Sequence, residues 1–81
     1  MDRNEVLDAV FAAIHKEAGI EFDEMTAESE IVDELGLNSL EILPMIASLE
    51  KQFRVRVSTR AMREITSIAS LADYILEEKA K

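Results

Sequence analysis

Apolar residues near the N-terminus recur at the spacing of one helical face. The members of this stripe are Val6, Leu7, Val10, Phe11 and Ile14. Their spacing predicts an amphipathic helix over residues 3–17. Asp2 and Glu5 are placed for an Asp-led capping box at its start, and Gly19 is the expected stop.

A second helical pattern occupies the middle of the chain. Its apolar members are Leu40, Ile42, Leu43, Ile46, Leu49 and Phe53. They predict a helix over residues 39–53, and both Asn38 and Ser39 are favoured N-cap residues. With Ser39 as the cap, Pro44 falls in the second turn, which predicts a kink or a frayed first turn. The alternative is a helix that begins one turn later, with Pro44 as its first residue.

Residues 54–57 alternate between basic and apolar side chains in the manner of a strand. No other segment offers a partner strand, so we expect an extended connector that turns its two valines inward. Ser58 or Thr59 is then expected to cap a short helix that runs through Ile65, with Met62 and Ile65 facing the core.

The C-terminal segment repeats the helical pattern. Thr66 or Ser67 is the expected cap, and residues 77–81 are expected to form a solvated tail. The buried stripe of this last helix is Ile68, Leu71, Tyr74 and Ile75. The predicted fold class is therefore all-α, a small four-helix bundle of three main helices and one short helix with a long first loop.

That first loop, residues 19–37, has no sustained period. Its apolar residues are Ile20, Phe22, Met25, Ile31, Val32, Leu35 and Leu37. A structureless loop of this length is unusual in a small domain, and the apolar content predicts that it is pinned across the bundle. Disorder is the alternative.

Composition narrows the class of protein. The chain has 81 residues, which predicts one domain over residues 1–81, and it has no cysteine for a disulfide or thiolate metal site. No stretch approaches the length of a membrane span and the N-terminus does not resemble a secretory signal, so a cytoplasmic location is expected. Monomer is the simple expectation for the oligomeric state.

The charge is unevenly distributed. Of the net −8, residues 1–50 carry thirteen acids and two bases, whereas residues 51–81 carry four acids and seven bases. The acidic part disfavours nucleic acid and favours basic protein patches as partners. Solubility alone is the other interpretation of this acidity.

Residues 34–41 read Glu-Leu-Gly-Leu-Asn-Ser-Leu-Glu and place one hydroxyl, that of Ser39, where the acidic loop turns into an apolar helix. Gly36 allows a sharp turn before it. This stretch resembles the Asp-Ser-Leu prosthetic-group site of the acyl and peptidyl carrier protein family, with Asn38, Ser39 and Leu40 at the three positions. The order of elements also resembles that family over nearly the whole chain.

The resemblance implies a carrier and not an enzyme. It implies that a phosphopantetheinyl transferase attaches 4′-phosphopantetheine, donated by coenzyme A, to Ser39. Acyl intermediates of fatty acid, polyketide or specialised lipid synthesis would then be held as thioesters and visited by acyl-loading and acyl-processing enzymes. A carrier-like interaction module without this arm is the alternative.

Three features depart from the family pattern. Asn38 stands where the family has Asp, Pro44 stands where the second helix usually has an acid, and residues 51–63 are basic. An amide is a weaker ligand for a hard cation than a carboxylate, so we expect slower modification or a dedicated transferase. Alternatively, Asn38 acts only as a cap.

Two charged sets are candidate partner-binding residues. By resemblance, the acidic recognition face comprises Asp33, Glu34, Glu41 and Glu50. The basic set comprises Lys51, Arg54, Arg56, Arg60 and Arg63. We expect the acidic face to dock weakly on basic enzyme patches and the basic set to meet a partner with a negative patch. The alternatives are a solvated face and internal neutralisation of the acidic loop.

An apolar set beside the expected arm is a candidate acyl pocket, with ordinary core as the alternative. Its members are Met45, Ile46, Leu49, Met62 and Ile65. No metal site is expected, because His15 stands alone and the acids of residues 23–34 lack the glycine that an EF-hand loop requires. A hydrolase is disfavoured because no nucleophile has a neighbouring base.

Overall fold

Four α-helices account for most of the chain in the computed structural model, which describes residues 1–81. The helices are α1 (Arg3–Ala18), α2 (Ser39–Phe53), α3 (Thr59–Glu64) and α4 (Ile68–Lys79). A short 3₁₀ helix, Phe22–Glu24, lies in the first loop. The predicted all-α fold of three main helices and one short helix is confirmed. No helix combines the length and the apolar composition that crossing a bilayer demands.

Each α-helix begins at a polar residue whose side chain accepts a backbone hydrogen bond from three residues further on. The four caps are Asp2, Asn38, Ser58 and Ser67. These bonds satisfy N–H groups that have no partner within the helix. At Asp2 only half of the predicted box forms: the Glu5 N–H donates to the Asp2 carboxylate at 2.9 Å. At the other end of α1, Gly19 takes the left-handed conformation (φ 70°) as expected of a stop.

The core is assembled around α1, which packs against both α2 and α4. Every large side chain that is fully shielded from water comes from these three helices. They are Val6, Val10, Ile14, Met45, Leu49, Ile68, Leu71 and Ile75. Burial of a Val, Leu, Ile or Met side chain contributes about 1.5–3 kcal/mol, so this cluster is the main source of stability.

The loop between α1 and α2 is ordered and pinned by its backbone. The Ile31 N–H donates to the Thr66 carbonyl at 2.9 Å, and the Ile68 N–H donates to the Ser29 carbonyl at 3.0 Å. Met25, which is 6% exposed, is buried in the core together with Ile31. The pinned loop is confirmed and disorder is excluded.

Two of the seven expected anchors do not face the core. Val32 is 56% exposed and Phe22 is 53% exposed. The Phe22 ring stacks on His15, with 4.6 Å between the ring centroids. The loop has no periodic pattern, so the sequence carried no signal for which apolar residues point inward.

Pro44 lies inside an uninterrupted α2. The first turn is closed, since the Ile42 N–H donates to the Asn38 carbonyl at 2.8 Å. The predicted fraying is therefore wrong, and so is a start one turn later. Pro44 removes the donor that would bond the Leu40 carbonyl. Because Leu40 is 86% exposed, this part of the helix faces water.

Smaller corrections concern the C-terminal helices. Ala61 is the buried residue of α3, whereas Met62 and Ile65 are only half-buried. Helix α4 continues to Lys79, so most of the expected solvated tail is helical. The acids and lysines near the C-terminus are compatible with a final helical turn. The sequence did not predict that turn, because residues 77–79 contain no apolar residue.

The connector between α2 and α3 is extended and tethered at two points. Val55 is buried and Val57 half-buried, as predicted. The Val57 N–H donates to Glu50 Oε2 at 2.8 Å, and the Tyr74 hydroxyl donates to the Arg56 carbonyl at 2.8 Å. At its start, Arg54 caps α2 in the left-handed conformation (φ 57°).

Arg54→Gly is expected to raise the free energy of unfolding by about 0.5–1 kcal/mol. Relief of a left-handed non-glycine residue is worth about 1–2 kcal/mol, and glycine's greater freedom in the unfolded chain offsets about 0.5–1 kcal/mol of it. The melting temperature should rise by a few degrees in thermal unfolding. Arg56→Gly is the matched control and should destabilise, because Arg56 has no positive φ. Equal effects of the two changes would contradict this explanation.

Candidate functional site

The chain approaches α2 through a tight turn that is anchored in the core. Gly36 takes φ 74°, and its N–H donates to the Val32 carbonyl at 3.0 Å. The next residue, Leu37, is 3% exposed and fastens the turn to the core. Glycine adopts this conformation without strain, so the turn delivers the start of α2 at a fixed place on the surface.

Asn38, and not Ser39, caps α2. Asn38 Oδ1 accepts from the Glu41 N–H at 3.2 Å, and Glu41 Oε1 accepts from the Asn38 N–H at 3.1 Å. The interpretation of Ser39 as a cap is therefore wrong. The two residues have similar cap preferences, and only the reciprocal partner Glu41, three residues after Asn38, distinguishes them.

Ser39 is consequently the first residue of α2, exposed, and its Oγ makes no hydrogen bond within the chain. The free hydroxyl stands at the positive end of a 15-residue helix, where an attached phosphate ester would be stabilised. No side chain contacts the oxygen as a base. The residues present therefore fit a phosphate-linked group that another protein attaches.

The surface beside Ser39 is apolar. Leu40 is 86% exposed and Leu43 61% exposed, and Pro44 is also exposed. Large exposed leucines next to one another on a monomer are typical of a protein contact surface.

The four acidic candidates do not form one uniform face. Asp33 is exposed and makes no hydrogen bond, whereas Glu34 Oε1 accepts from the Glu30 N–H at 2.8 Å. Glu41 belongs to the α2 cap, and Glu50 accepts from Val57 in the connector. Three of the four carboxylates therefore have a structural partner, and Glu41 is the one next to Ser39 in the chain.

The basic candidates remain free of internal ion pairs. Arg54, Arg56, Arg60 and Arg63 are all exposed. The ion pairs of this chain are Arg3 with Asp73 at 3.0 Å and Lys81 with Glu78 at 2.8 Å. The hydrogen bond that Lys81, at the C-terminus, donates to the Glu78 carboxylate raises the pKa of Lys81. Neutralisation of the acidic loop by direct pairing with residues 51–63 is therefore absent.

An apolar cavity of about 90 Å³ lies between α2, the first loop and the end of α3. Its lining residues are Ile31, Val32, Ile42, Met45, Ile46, Met62, Ile65 and Thr66. Four of the five proposed pocket residues line it, and the fifth, Leu49, is fully buried elsewhere in the core. Ile42 could have been found, because it lies three residues before Met45 on the same helical face.

The remaining lining residues could not have been found from the sequence. Ile31, Val32 and Thr66 reach the cavity through the backbone pairing of the first loop with the segment before α4. That pairing joins residues far apart in the sequence, and no periodic pattern predicts it. Elsewhere, no group of three or more His, Cys, Asp or Glu residues is arranged to hold a metal ion.

Comparison with known proteins agrees with this arrangement. A family model described as "Phosphopantetheine attachment site" matches residues 8–75. The acyl carrier protein of Cyanidioschyzon merolae is 27% identical over 79 residues, which cover 98% of this chain and 87% of that protein. The acyl carrier protein of Thermotoga maritima is 26% identical over 73 residues, 90% of each chain.

A third relative, the acyl carrier protein of Tropheryma whipplei, is 22% identical over 80 residues, covering 99% of this chain and 98% of that protein. The family's prosthetic group is covalently attached 4′-phosphopantetheine, and its members are carriers that interact with transferases and acyl-processing enzymes. The match over most of the chain shows that it belongs to the acyl carrier protein family and serves as a phosphopantetheine carrier.

Proposed function

We propose that Ser39 is the attachment residue and that the chain holds acyl intermediates as thioesters for fatty acid, polyketide or specialised lipid synthesis. One observation carries the proposal. Ser39 Oγ is unbonded at the exposed start of α2, because Asn38 has taken over the capping role. A serine engaged as a cap would have to give up a hydrogen bond before reacting.

The chain's part in its own modification is to present a nucleophile. Ser39 Oγ attacks the pantetheine-side phosphorus of coenzyme A, a P–O bond of the pyrophosphate breaks, and 3′,5′-ADP leaves. The hydroxyl proton passes to a base of the transferase, which also supplies the metal. The new phosphodiester keeps a negative charge at the positive end of α2, where backbone N–H groups and the macrodipole stabilise it.

The apolar residues beside α2 are proposed to shelter the acyl chain. Once attached, the arm's thiol supplies the thioester bond to the acyl cargo. The apolar cavity beside α2 offers the acyl chain a place away from water, with Met45 and Met62 as adaptable lining. Its volume of about 90 Å³ is small, so a longer chain requires the lining to move apart.

The acidic residues near Ser39 support recognition by basic enzyme surfaces. Asp33 and Glu34 precede the site in the chain, and Glu41 follows it in the first turn of α2. Exposed pairs contribute only about 0–1 kcal/mol each, so docking is weak, rapid and sensitive to salt. A carrier that must leave each enzyme again requires such weak contacts.

Incubation with coenzyme A and a transferase of broad specificity tests the attachment site. Intact-protein mass spectrometry should show a gain of one phosphopantetheine, and Ser39→Ala should abolish the gain while the protein stays folded. Ser48→Ala removes another exposed hydroxyl of the same helix and should leave the gain unchanged. Modification at a different residue would overturn the assignment. No gain on the parent protein would favour an interaction module without an arm.

Asn38→Asp is expected to raise the rate of modification about tenfold, which corresponds to an activation free energy lower by about 1.4 kcal/mol. The carboxylate keeps the capping oxygen and adds a hard-cation ligand where the transferase and its metal meet the carrier. Asn38→Ala is the control: it should lose about 1 kcal/mol of stability with the cap and gain no speed. An unchanged rate for Asn38→Asp would show that the natural amide is no handicap.

Met62→Phe is expected to obstruct the cavity, so that an attached butyryl chain stays outside it. The backbone amide shifts of Ile42 and Met45 between the unacylated and butyryl forms should then be smaller than in the parent protein. Leu76→Phe enlarges another half-buried residue, on α4 away from the cavity, and should leave these shifts unchanged. Equal effects of the two changes would contradict the proposed shelter.

A further inference from the structure

An open groove of about 590 Å³ lies at the C-terminal end of α2. It is lined by Ala47, Glu50, Lys51, Arg54, Val55 and Arg56. Three of these residues are cations and one is a carboxylate. The groove is therefore locally positive, although the whole chain has a net charge of −8. None of the three cations forms an ion pair within the chain.

The groove is built on ordered backbone. The Val55 N–H donates to the Glu50 carbonyl at 3.1 Å, and the Glu50 carboxylate holds the Val57 N–H. Tyr74 of α4 fixes the Arg56 carbonyl from the other side. Because the main chain is tethered, the two arginine side chains start from fixed backbone positions, so a partner has only their side-chain rotamers to order.

Arg54 adds an independent observation. It occupies the left-handed position at the end of α2, where glycine would be free of strain. Strained residues persist where the surrounding structure holds them, and they cluster at functional sites. The strained residue here is one of the three cations that line the groove.

We propose that this groove docks a carboxylate-rich segment of a partner protein. Guanidinium groups match carboxylates in bidentate geometry, and the cations of the groove have no internal partner to give up. An extended polyanion or an anionic membrane fits less well, because residues 1–50 carry thirteen acids against two bases and would repel it. A short acidic segment meets only the groove.

The position gives the contact a role in partner choice. Along the axis of α2, Ser39 lies about 12 Å from Ala47, the nearest residue of the groove, and about 22 Å from Arg54. Docking at the groove therefore leaves the hydroxyl accessible. A partner that presents a basic patch near Ser39 and an acidic segment at the groove fits both ends of α2. A uniformly basic partner is repelled at the groove, which provides specificity.

Amide chemical-shift titration of the ¹⁵N-labelled full chain at low salt tests the proposal. The probes are a short synthetic peptide containing three glutamates and the same peptide with glutamines. Saturable shifts confined to residues 47–57 are expected with the glutamate peptide only. Ser39→Ala should bind it unchanged, so this result is independent of the attachment site.

Arg56→Gln and Arg54→Gly should each weaken binding of the glutamate peptide about threefold, and Arg56→Lys should weaken it less. Since Arg54→Gly is expected to be more stable than the parent, its loss of binding cannot come from unfolding. Lys16→Gln removes one positive charge from an exposed residue that lies outside the groove and outside the basic set, and it is the control.

Three results would overturn the proposal. The first is an equal loss of affinity in Lys16→Gln and Arg56→Gln, which would indicate diffuse charge attraction. The second is a set of shifts that lies outside the groove or fails to saturate. The third is tighter binding to a single-stranded oligonucleotide or to vesicles of anionic lipid than to the glutamate peptide.

Discussion

The reciprocal pair of hydrogen bonds between Asn38 and Glu41 is the contact on which the site depends. It fixes the first residue of α2 and satisfies two backbone groups that would otherwise lack partners. With both bonds made, Ser39 has no structural duty, and its hydroxyl faces solvent at the positive end of the helix. If Ser39 were the cap, the same oxygen would be engaged. One residue of register therefore separates a structural serine from a reactive one.

The first loop also has two roles: it satisfies the hydrogen bonds of its own backbone, and it forms one wall of the cavity. Its N–H and carbonyl groups pair with the segment that leads into α4. This pairing brings Ile31 against Thr66, and both residues line the apolar space beside α2. The cavity wall is thus held by main-chain bonds on one side and by helix packing on the other. Side chains can shift there without the loss of a backbone hydrogen bond, which suits a space that must widen.

Sequence reasoning succeeded where a period existed and failed where a choice depended on contacts between distant residues. The stripes of α1, α2 and α4 predicted three helices because burial of one face imposes their spacing. The fraying predicted from Pro44 is absent although Pro44 lies inside α2, and the carbonyl that loses its donor belongs to Leu40, a residue that is 86% exposed. Val32 was predicted to be a core anchor because it is apolar, but it is exposed and its neighbour Ile31 is buried instead. No local sequence pattern distinguishes these two residues. The candidate cavity was found only on its helical side for the same reason.

The hydrogen bonds of the charged side chains decide at which residues a substitution changes charge without changing stability. Glu41 and Glu50 each hold a backbone N–H, so their removal disturbs the α2 cap or the connector as well as the surface potential. Asp33 has no such bond, and a change there alters charge alone. Arg56 resembles Asp33 in this respect, because Tyr74 is bonded to its carbonyl and not to its side chain. Asp33 in the first loop and Arg56 after α2 are therefore one acid and one base whose electrostatic effects are separable from stability. Comparison of the two measures how far opposite charges on the surface orient a partner.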